Sequence, residues 1–545
     1  MKRNKIERLK HRLSPYAFST LLGQIDLADL NEEERFYLKN YGIYNSKLEP
    51  QRFMVRIRVA GGRIERARLG LIVQIAKTYG ASLLLTARAQ IELHGLHAGN
   101  VLEVWQMLQD AGITTMQTLT DNFRNIVTDP YDGADSSSKI ETYPLILKMQ
   151  AFFLGQPEWM GMIPRKFNTA ICATAETHSH FFSNDLFFGL ASKEHRWGFN
   201  LYLGGKNSEA AKSADLFVEA EQVPEMFKAV AKAYRTYGLR GTRSKTRLFH
   251  LIDQIGMEKF VTHILEFYPH KRERSGTFEV KKAPIAAYRA LQNERYGYCV
   301  QSYFGKIETG YLEEVLAFAE QKDLEIRLGI DQNLYLLGLQ EPHVPFRRIA
   351  GASQVTACAG SSYCPLSLWD IKQETRYLPL DLIDRYGIEV GFSGCLKGCG
   401  RHHHADIGLV GLRTNVYGET QKAARVFLGA EYSTGNAVAR LVFPVVPLNA
   451  LNALLRVIIR EFEQSGVEDF ETFSREYLNH FSSDFLYLWF LAKLRFGFDL
   501  PLEKVSEKTL YTKLRSIDGF PLVEEDERYI QSSRILMHAL WDDRD

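Results

Sequence analysis

The chain has 545 residues, 45% hydrophobic and 24% charged, an ordinary globular composition with enough length for two or three packed units. Its 67 basic residues against 65 acidic ones leave a net charge of +2, which excludes a global field for nucleic acid or an anionic membrane, so any anion chemistry must rest on local clusters. The basic N-terminal stretch is followed by no apolar core or small-residue cleavage site and does not read as a secretory signal. The most apolar stretch, 485–500, is interrupted by Lys493, Arg495 and Asp499 and is too short to span a bilayer. A cytoplasmic protein is expected.

In chain order, residues 53–59 alternate like a strand, Gly61 and Gly62 make a turn, 66–79 have helical spacing, and 82–96 read as two more strands. This is a β-α-β-β module, and a longer mixed region, about 120–270, follows it. The pattern then repeats as a strand over 298–304, a turn at Gly305, a helix over 312–321 and strands through 324–339, with a second mixed region at 345–480. The offset is constant at 243, Gly62 matching Gly305 and Gly95 matching Gly338, so duplication followed by divergence is the simplest account. The halves differ in chemistry: the first carries Arg88 and His94 where the second has Asp331 and Leu337, and only the second carries clustered cysteines. The tail, with Trp489, Phe490, Phe496 and Phe498 beside mixed charge, reads as a docking helix.

Six cysteines occur, and a disulfide framework does not suit a large chain without an export signal. Cys172 and Cys299 are expected as buried small side chains. Cys358 and Cys364 form a C-x5-C pair, and Cys395 and Cys399 a C-x3-C pair, among small residues. Four thiolates can hold an iron–sulfur cube; structural zinc prefers tighter pairs, so the wider spacing counts against zinc without excluding it, and unligated buried cysteine is the third reading. His402, His403 and His404 cannot all face one ion on regular backbone and read as cofactor-side packing or proton supply. No G-x-G-x-x-G pattern appears, so a separate electron donor is implied.

Ser393-Gly394-Cys395, three residues, Cys399, six residues and then Asp406-Ile407-Gly408-Leu409, with the upstream pair, resembles the signature of the sirohaem-dependent nitrite and sulfite reductases. The resemblance covers roughly residues 45 to 475. It implies an α+β fold of duplicated ferredoxin-like β-α-β-β modules plus two mixed α/β domains that bind sirohaem and cluster, related by a pseudo-two-fold. The domains expected are an N-terminal extension 1–45, half-domains 46–118 and 276–344, a first sirohaem-binding domain 119–275 without a cluster, a cluster domain 345–478 and a helical extension 479–545. It also implies a 4Fe–4S cluster on all four cysteines, with Cys399 shared with the sirohaem iron. Leu396-Lys397 stands where the family commonly has Pro-Asn, a change that alters the cluster's surroundings without removing a ligand.

Sirohaem is a polycarboxylate and the substrate an anion, so concentrated positive charge is needed. By resemblance, Arg88 and His94 lie beside the macrocycle; Arg240, Arg243, Lys245 and Arg247 look like the carboxylate-binding segment, Gly204 and Gly205 like a close backbone approach, and Arg58 and Arg401 join the cofactor set. Taken alone, the 240–247 run reads as a solvated helix face. For the substrate, motif matching implies Arg56, Arg124, Lys166 and Asn168; Arg56 and Arg58 share one strand face, as do Lys166 and Asn168. Converging cations ease electron addition to an oxyanion, and lysine can relay protons. Asn168 orders the substrates, since sulfite-reducing relatives usually carry lysine there and nitrite-reducing ones asparagine. The expected function is six-electron reduction of nitrite to ammonia, with sulfite reduction as the alternative on the same scaffold and a non-catalytic zinc protein as the remote one. The expected donor is reduced ferredoxin or a separate flavoprotein, docking through Lys397 and Arg401.

Overall fold

The computed structural model describes residues 3–415 and 420–517 and divides into two units, Met1–Arg348 and Ile349–Asp545. In the first unit the duplication is visible element by element: helix Arg66–Thr78 recurs as Thr309–Gln321, strand Ser82–Leu85 as Glu325–Leu328, and Ile91–Leu96 as Leu334–Leu339, each at the offset of 243.

The modules form two five-stranded sheets. One runs Ile43–Ser46, Glu49–Ile57, Ile91–Leu96, Ser82–Leu85 and Lys306–Ile307; the other runs Tyr288–Ala290, Tyr296–Val300, Leu334–Leu339, Glu325–Leu328 and Arg63–Ile64. Each module therefore lends a two-residue strand to its twin. Lys306 faces Leu84 and Ile307 faces Leu83, while Arg63 faces Arg327 and Ile64 faces Ile326, which are equivalent pairs under the repeat. The crossing point explains Gly62: its φ is +76°, and a Cβ there would stand 2.3 Å from the Leu328 carbonyl oxygen, so no side chain fits. The modules share one hydrophobic core, in which Leu69, Ile91, Leu312 and Leu336 are all buried. Leu9, Phe18, Phe36 and Tyr41, from the segment before residue 46, are buried in the same core.

A third large sheet in this unit runs Lys212–Glu219, Arg196–Leu203, Leu186–Lys193, Phe167–Cys172 and Phe123–Val127, with Thr277–Phe278 pairing on Leu186–Lys193. From the Phe123 end, three strands are parallel and the next two antiparallel. Such a parallel core is buried on both faces. Helices Tyr143–Phe153 and Val223–Tyr237 supply Ile146, Met149, Phe227 and Val230 to it.

The second unit is built on strands Val355–Ala357, Val390–Ser393, Ile407–Thr414, Gln421–Leu428 and Arg440–Pro447. Again three are parallel and two antiparallel, so both mixed regions carry one topology despite their different chemistry. Helix Ser483–Phe496 is started by Ser482, whose hydroxyl accepts from the Phe485 amide at 3.2 Å, and is stopped at Gly497 with φ +61°. Nine consecutive residues, Phe485 to Lys493, are buried, so it is an internal helix rather than a surface one. Residues 518–545 of the expected C-terminal extension lie outside the described residues. Among those described, no helix is long and apolar enough to cross a membrane.

Candidate functional site

The first unit gathers cations where three segments meet. Arg56, in strand Glu49–Ile57, faces Glu92 directly across the sheet, and its Nε donates to Glu92 Oε1 at 2.8 Å. The other oxygen of Glu92 lies 2.8 Å from His94 Nε2. Burial works against this carboxylate, yet Arg56 and then His94 hold it down at about 2.

Phe123 and Ile126 both enter the core, which a bulge between them permits; Arg124 and Asn125 are thereby aimed elsewhere. Asn125 Nδ2 donates to the carbonyls of Val59 and, at 3.0 Å, Arg88, tying the three arginine-bearing segments together. Arg124 is buried; its Nη1 donates to the Thr118 carbonyl, its Nη2 to Thr120 at 2.8 Å, and its Nε has no partner. Arg56 Nη1 reaches the same Thr118 carbonyl at 3.5 Å. Burial first, and after it the charges of Arg88 and Arg56, penalise the Arg124 cation and lower its pKa well below the usual range. No carboxylate forms an ion pair with it among the described residues. The charge of Asp121 offsets part of this penalty, and an anion beside so crowded a cation would offset more, so the donor set fits an anionic ligand.

Asn168 opens strand Phe167–Cys172, next to Phe123–Val127. Its backbone N–H donates to Asp185 Oδ2 at 2.8 Å, and its side-chain Oδ1 is buried without a partner. Lys166, half-buried, precedes it, and Arg88, also half-buried, sits in the turn before strand Ile91–Leu96.

The other cations expected at the cofactor have partners inside the fold. Arg58 spends four N–H donors on the backbone carbonyls of Met116, Gln117, Phe123 and Arg124, and burial alone lowers its pKa to about 9. Arg240 binds Glu7 together with the carbonyls of Met162 and Arg235. Arg243 grips Asp121 with two nitrogens, and Arg247 grips Asp185 at 2.9 and 2.7 Å. Lys245 is exposed. A Cβ on Gly205 would stand 2.2 Å from the Phe182 carbonyl oxygen, so its close approach is to the chain's own backbone; Gly204, at φ +88°, meets only Ile252 closely.

In the second unit, Cys358 directly follows strand Val355–Ala357, and Cys395 comes two residues after Val390–Ser393. Both thiols therefore sit at the carboxyl ends of adjacent parallel strands, where open sheets bind ligands. The Gly394 amide donates to Cys358 Sγ at 3.1 Å, and a Cβ there would overlap Ser367 Oγ at 1.8 Å. Burial, and then Cys399, push the Cys358 thiol up to about 11; burial raises Cys364 too, with Cys399 and Cys395 adding to it. Cys399 thus lies near both Cys358 and Cys364, and Cys395 near Cys364. Yet among the described residues no three His, Cys, Asp or Glu side chains converge tightly enough for a single metal ion. Lys372 is buried and donates to the Cys358 carbonyl at 2.9 Å, placing positive charge beside the thiols. Cys399 is the exposed member, and Cys172 and Cys299 are buried, as expected. Arg401 is half-buried at φ +60°, and Lys397 is exposed. His402 and His404 are buried; His402 Nδ1 lies 3.0 Å from Ser393 Oγ, His403 Nδ1 2.8 Å from the Ala439 carbonyl, and both rings pack on Phe427.

Glu92, Asp121, Asp185 and Lys372 were not singled out from sequence. Only Glu92 had a local signal, two residues from His94 on one strand face.

Strand-end thiols on a duplicated α+β scaffold suit an iron–sulfur protein. Residues 47–111 match the nitrite/sulfite reductase ferredoxin-like half domain, and 119–272 the nitrite and sulphite reductase 4Fe-4S domain. A ferredoxin–nitrite reductase of Leptolyngbya laminosa is 24% identical, covering 84% of this chain and 96% of its own length; that of Synechococcus elongatus is 28% identical over 78% and 89%. A sulfite reductase [ferredoxin] of Mycolicibacterium paratuberculosis is 28% identical over 67% and 71%. The solved structure of the Mycobacterium tuberculosis NirA protein shares the fold, with a TM-score of 0.80 at 22% identity, covering 89% of this chain and 97% of that one. The matched domains and the relatives support the sirohaem-dependent nitrite and sulfite reductase family, and with it sirohaem and a 4Fe–4S cluster as cofactors.

Proposed function

We propose that the protein reduces nitrite to ammonia, taking up six electrons and eight protons and releasing ammonium and two waters. The observation that carries this reading is the buried Arg124, flanked by Arg56 and Arg88, with no carboxylate in ion-pair contact among the described residues. Arg124 and Arg56 hold the anion and favour each added electron, and Lys166 is the proton donor as N–O bonds break. Arg88, half-buried in the turn before strand Ile91–Leu96, and the exposed Lys245 are assigned to the macrocycle's carboxylates. The four cysteines hold the cube, and Cys399, the exposed one, is assigned as the thiolate shared with the tetrapyrrole iron. When bound, the coupled cluster and tetrapyrrole supply single-electron transfer to the substrate. Reduced ferredoxin is the donor the reading favours, because the nitrite-reducing relatives are named for it.

Asn168 favours nitrite over sulfite: a neutral amide adds no charge beside Arg124, and a singly charged, flat anion needs less than a pyramidal dianion. The relative named as a sulfite reductase keeps sulfite as the second reading. The test is the visible spectrum of the purified protein with and without nitrite, then kcat/KM for nitrite and sulfite with one artificial donor. A sirohaem spectrum that shifts on nitrite and a higher kcat/KM for nitrite are expected; a colourless preparation from iron-replete cells overturns the reading, and a higher value for sulfite overturns the substrate order.

A further inference from the structure

Helix Lys5–Arg12 lies ahead of the residues that match the family, which begin at 47, and carries a charged side chain that is almost wholly enclosed. Lys10 has 1% of its side chain exposed, Glu7 1% and Asp121 none. Lys10 Nζ donates to Glu7 at 2.7 Å, to Asp121 Oδ2 at 2.9 Å and to the Ile163 carbonyl at 2.8 Å. Around the same carboxylate stand Arg243 and, at 3.4 Å, Arg165; Arg240 closes the far side on Glu7, and its carbonyl accepts from the Asn4 amide at 3.1 Å. Burial opposes the charge on Asp121, but Lys10 above all, then Arg243, keeps its pKa low.

Both tethers of Lys10 lead to the anion site. Asp121 is three residues before Arg124, and Asn122 beside it accepts from the amides of Phe167 at 3.0 Å and, through Oδ1, of Gly161 at 2.6 Å. Ile163 is three residues before Lys166 and five before Asn168. One ammonium thus fastens the loop that aims Arg124 to the segment that presents Lys166 and Asn168. Burying ion pairs of this kind yields little net stability, so what such a knot contributes is a defined geometry.

Resting on the assignment of Arg124, Lys166 and Asn168 to the substrate, we propose that Lys10 is a positioning residue for the anion site, acting through Asp121 and Ile163. It touches no substrate. Its loss lets the two segments move apart, so anion affinity falls while the electron path is left intact.

The test uses the full-length holoenzyme, nitrite and an artificial donor. Lys10→Gln is expected to raise KM for nitrite about tenfold or more with kcat changed by less than about threefold, and Lys10→Arg, which keeps a cation at Asp121, to recover most of the loss. Leu9→Ala, a buried residue of the same helix outside the knot, is expected to lower Tm but leave KM within about twofold. Should Lys10→Gln not accumulate, the Lys10→Met, Asp121→Asn pair removes both charges and must still raise KM. An unchanged KM in the Lys10 variants, or an equal rise in Leu9→Ala, overturns the proposal. A wild type without sirohaem absorption fails the functional reading instead; a coloured, active wild type whose KM ignores Lys10 fails only the positioning role.

Discussion

Arg58 Nη1 donates to the backbone carbonyl of Arg124 at 3.0 Å, so one buried guanidinium fixes the backbone from which another projects. The two differ in what surrounds them: Arg58 is saturated with carbonyls, whereas Arg124 keeps an unpartnered Nε among neighbouring cations.

That contrast predicts the outcome of Arg58→Met. Four carbonyls, three of them in buried bonds, lose their donor at once, and each unsatisfied buried group costs about 1–3 kcal/mol before waters compensate. Unfolding in urea is expected to show a loss of about 3 kcal/mol or more, and steady-state kinetics a kcat/KM lowered at least about tenfold as the Arg124 backbone relaxes. Wild-type stability in the variant would show that the carbonyl cage contributes nothing.

Glu92 links the site to pH. Its folded pKa, about 2, lies below the ordinary 4.5, so its contribution to stability is fully present above pH 4.5 and is lost as pH falls through about 2. The magnitude is on the order of 3 kcal/mol for a shift of this size in a buried carboxylate. Glu92→Gln should flatten the acid limb of the stability profile between pH 5 and 2, which thermal melts across that window would measure.

Asn168→Lys places an ammonium on the strand next to the one that carries Arg124, with Asp185, which already accepts from the Asn168 backbone N–H, as the nearby carboxylate. The added charge benefits a dianion more than a monoanion, so the ratio of kcat/KM for sulfite over nitrite should rise by about tenfold. A ratio that does not move would remove the selectivity role from this position.

In the second unit, Glu461 is buried beneath helix Ser483–Phe496, bonded to Lys493 at 2.5 Å, to Trp489 Nε1 at 3.3 Å and to the Leu502 amide at 2.6 Å. Glu461→Ala strands a buried ammonium and is expected to cost about 3–5 kcal/mol. Glu461→Met with Lys493→Met should recover much of it, and chemical denaturation of both variants would decide.

Much of this was legible in the chain. A helix repeats with a period near 3.6 and a strand with 2, so the two β-α-β-β modules and their 243-residue offset could be read directly, and the wide C-x5-C and C-x3-C pairs already favoured a cube over zinc. The Phe485 stretch likewise announced a helix, although its burial on all sides did not follow from its length. What the chain did not disclose is whom each charge serves. The 240–247 run looked like a single carboxylate-binding segment, yet Arg243 belongs to Asp121, 122 residues away, Arg240 to Glu7, 233 away, and Arg247 to Asp185, 62 away.

The same limit hid the exchanged strands Arg63–Ile64 and Lys306–Ile307, since two residues carry no period and their pairing is chosen by the twin module. By itself the sequence determined the duplication, the thiol set and the kinds of charge available, because these are local patterns of residue type and spacing. Only the tertiary structure decided which carboxylate each cation meets and which cations crowd around Arg124, because ion pairing depends on distance in space and is indifferent to separation along the chain.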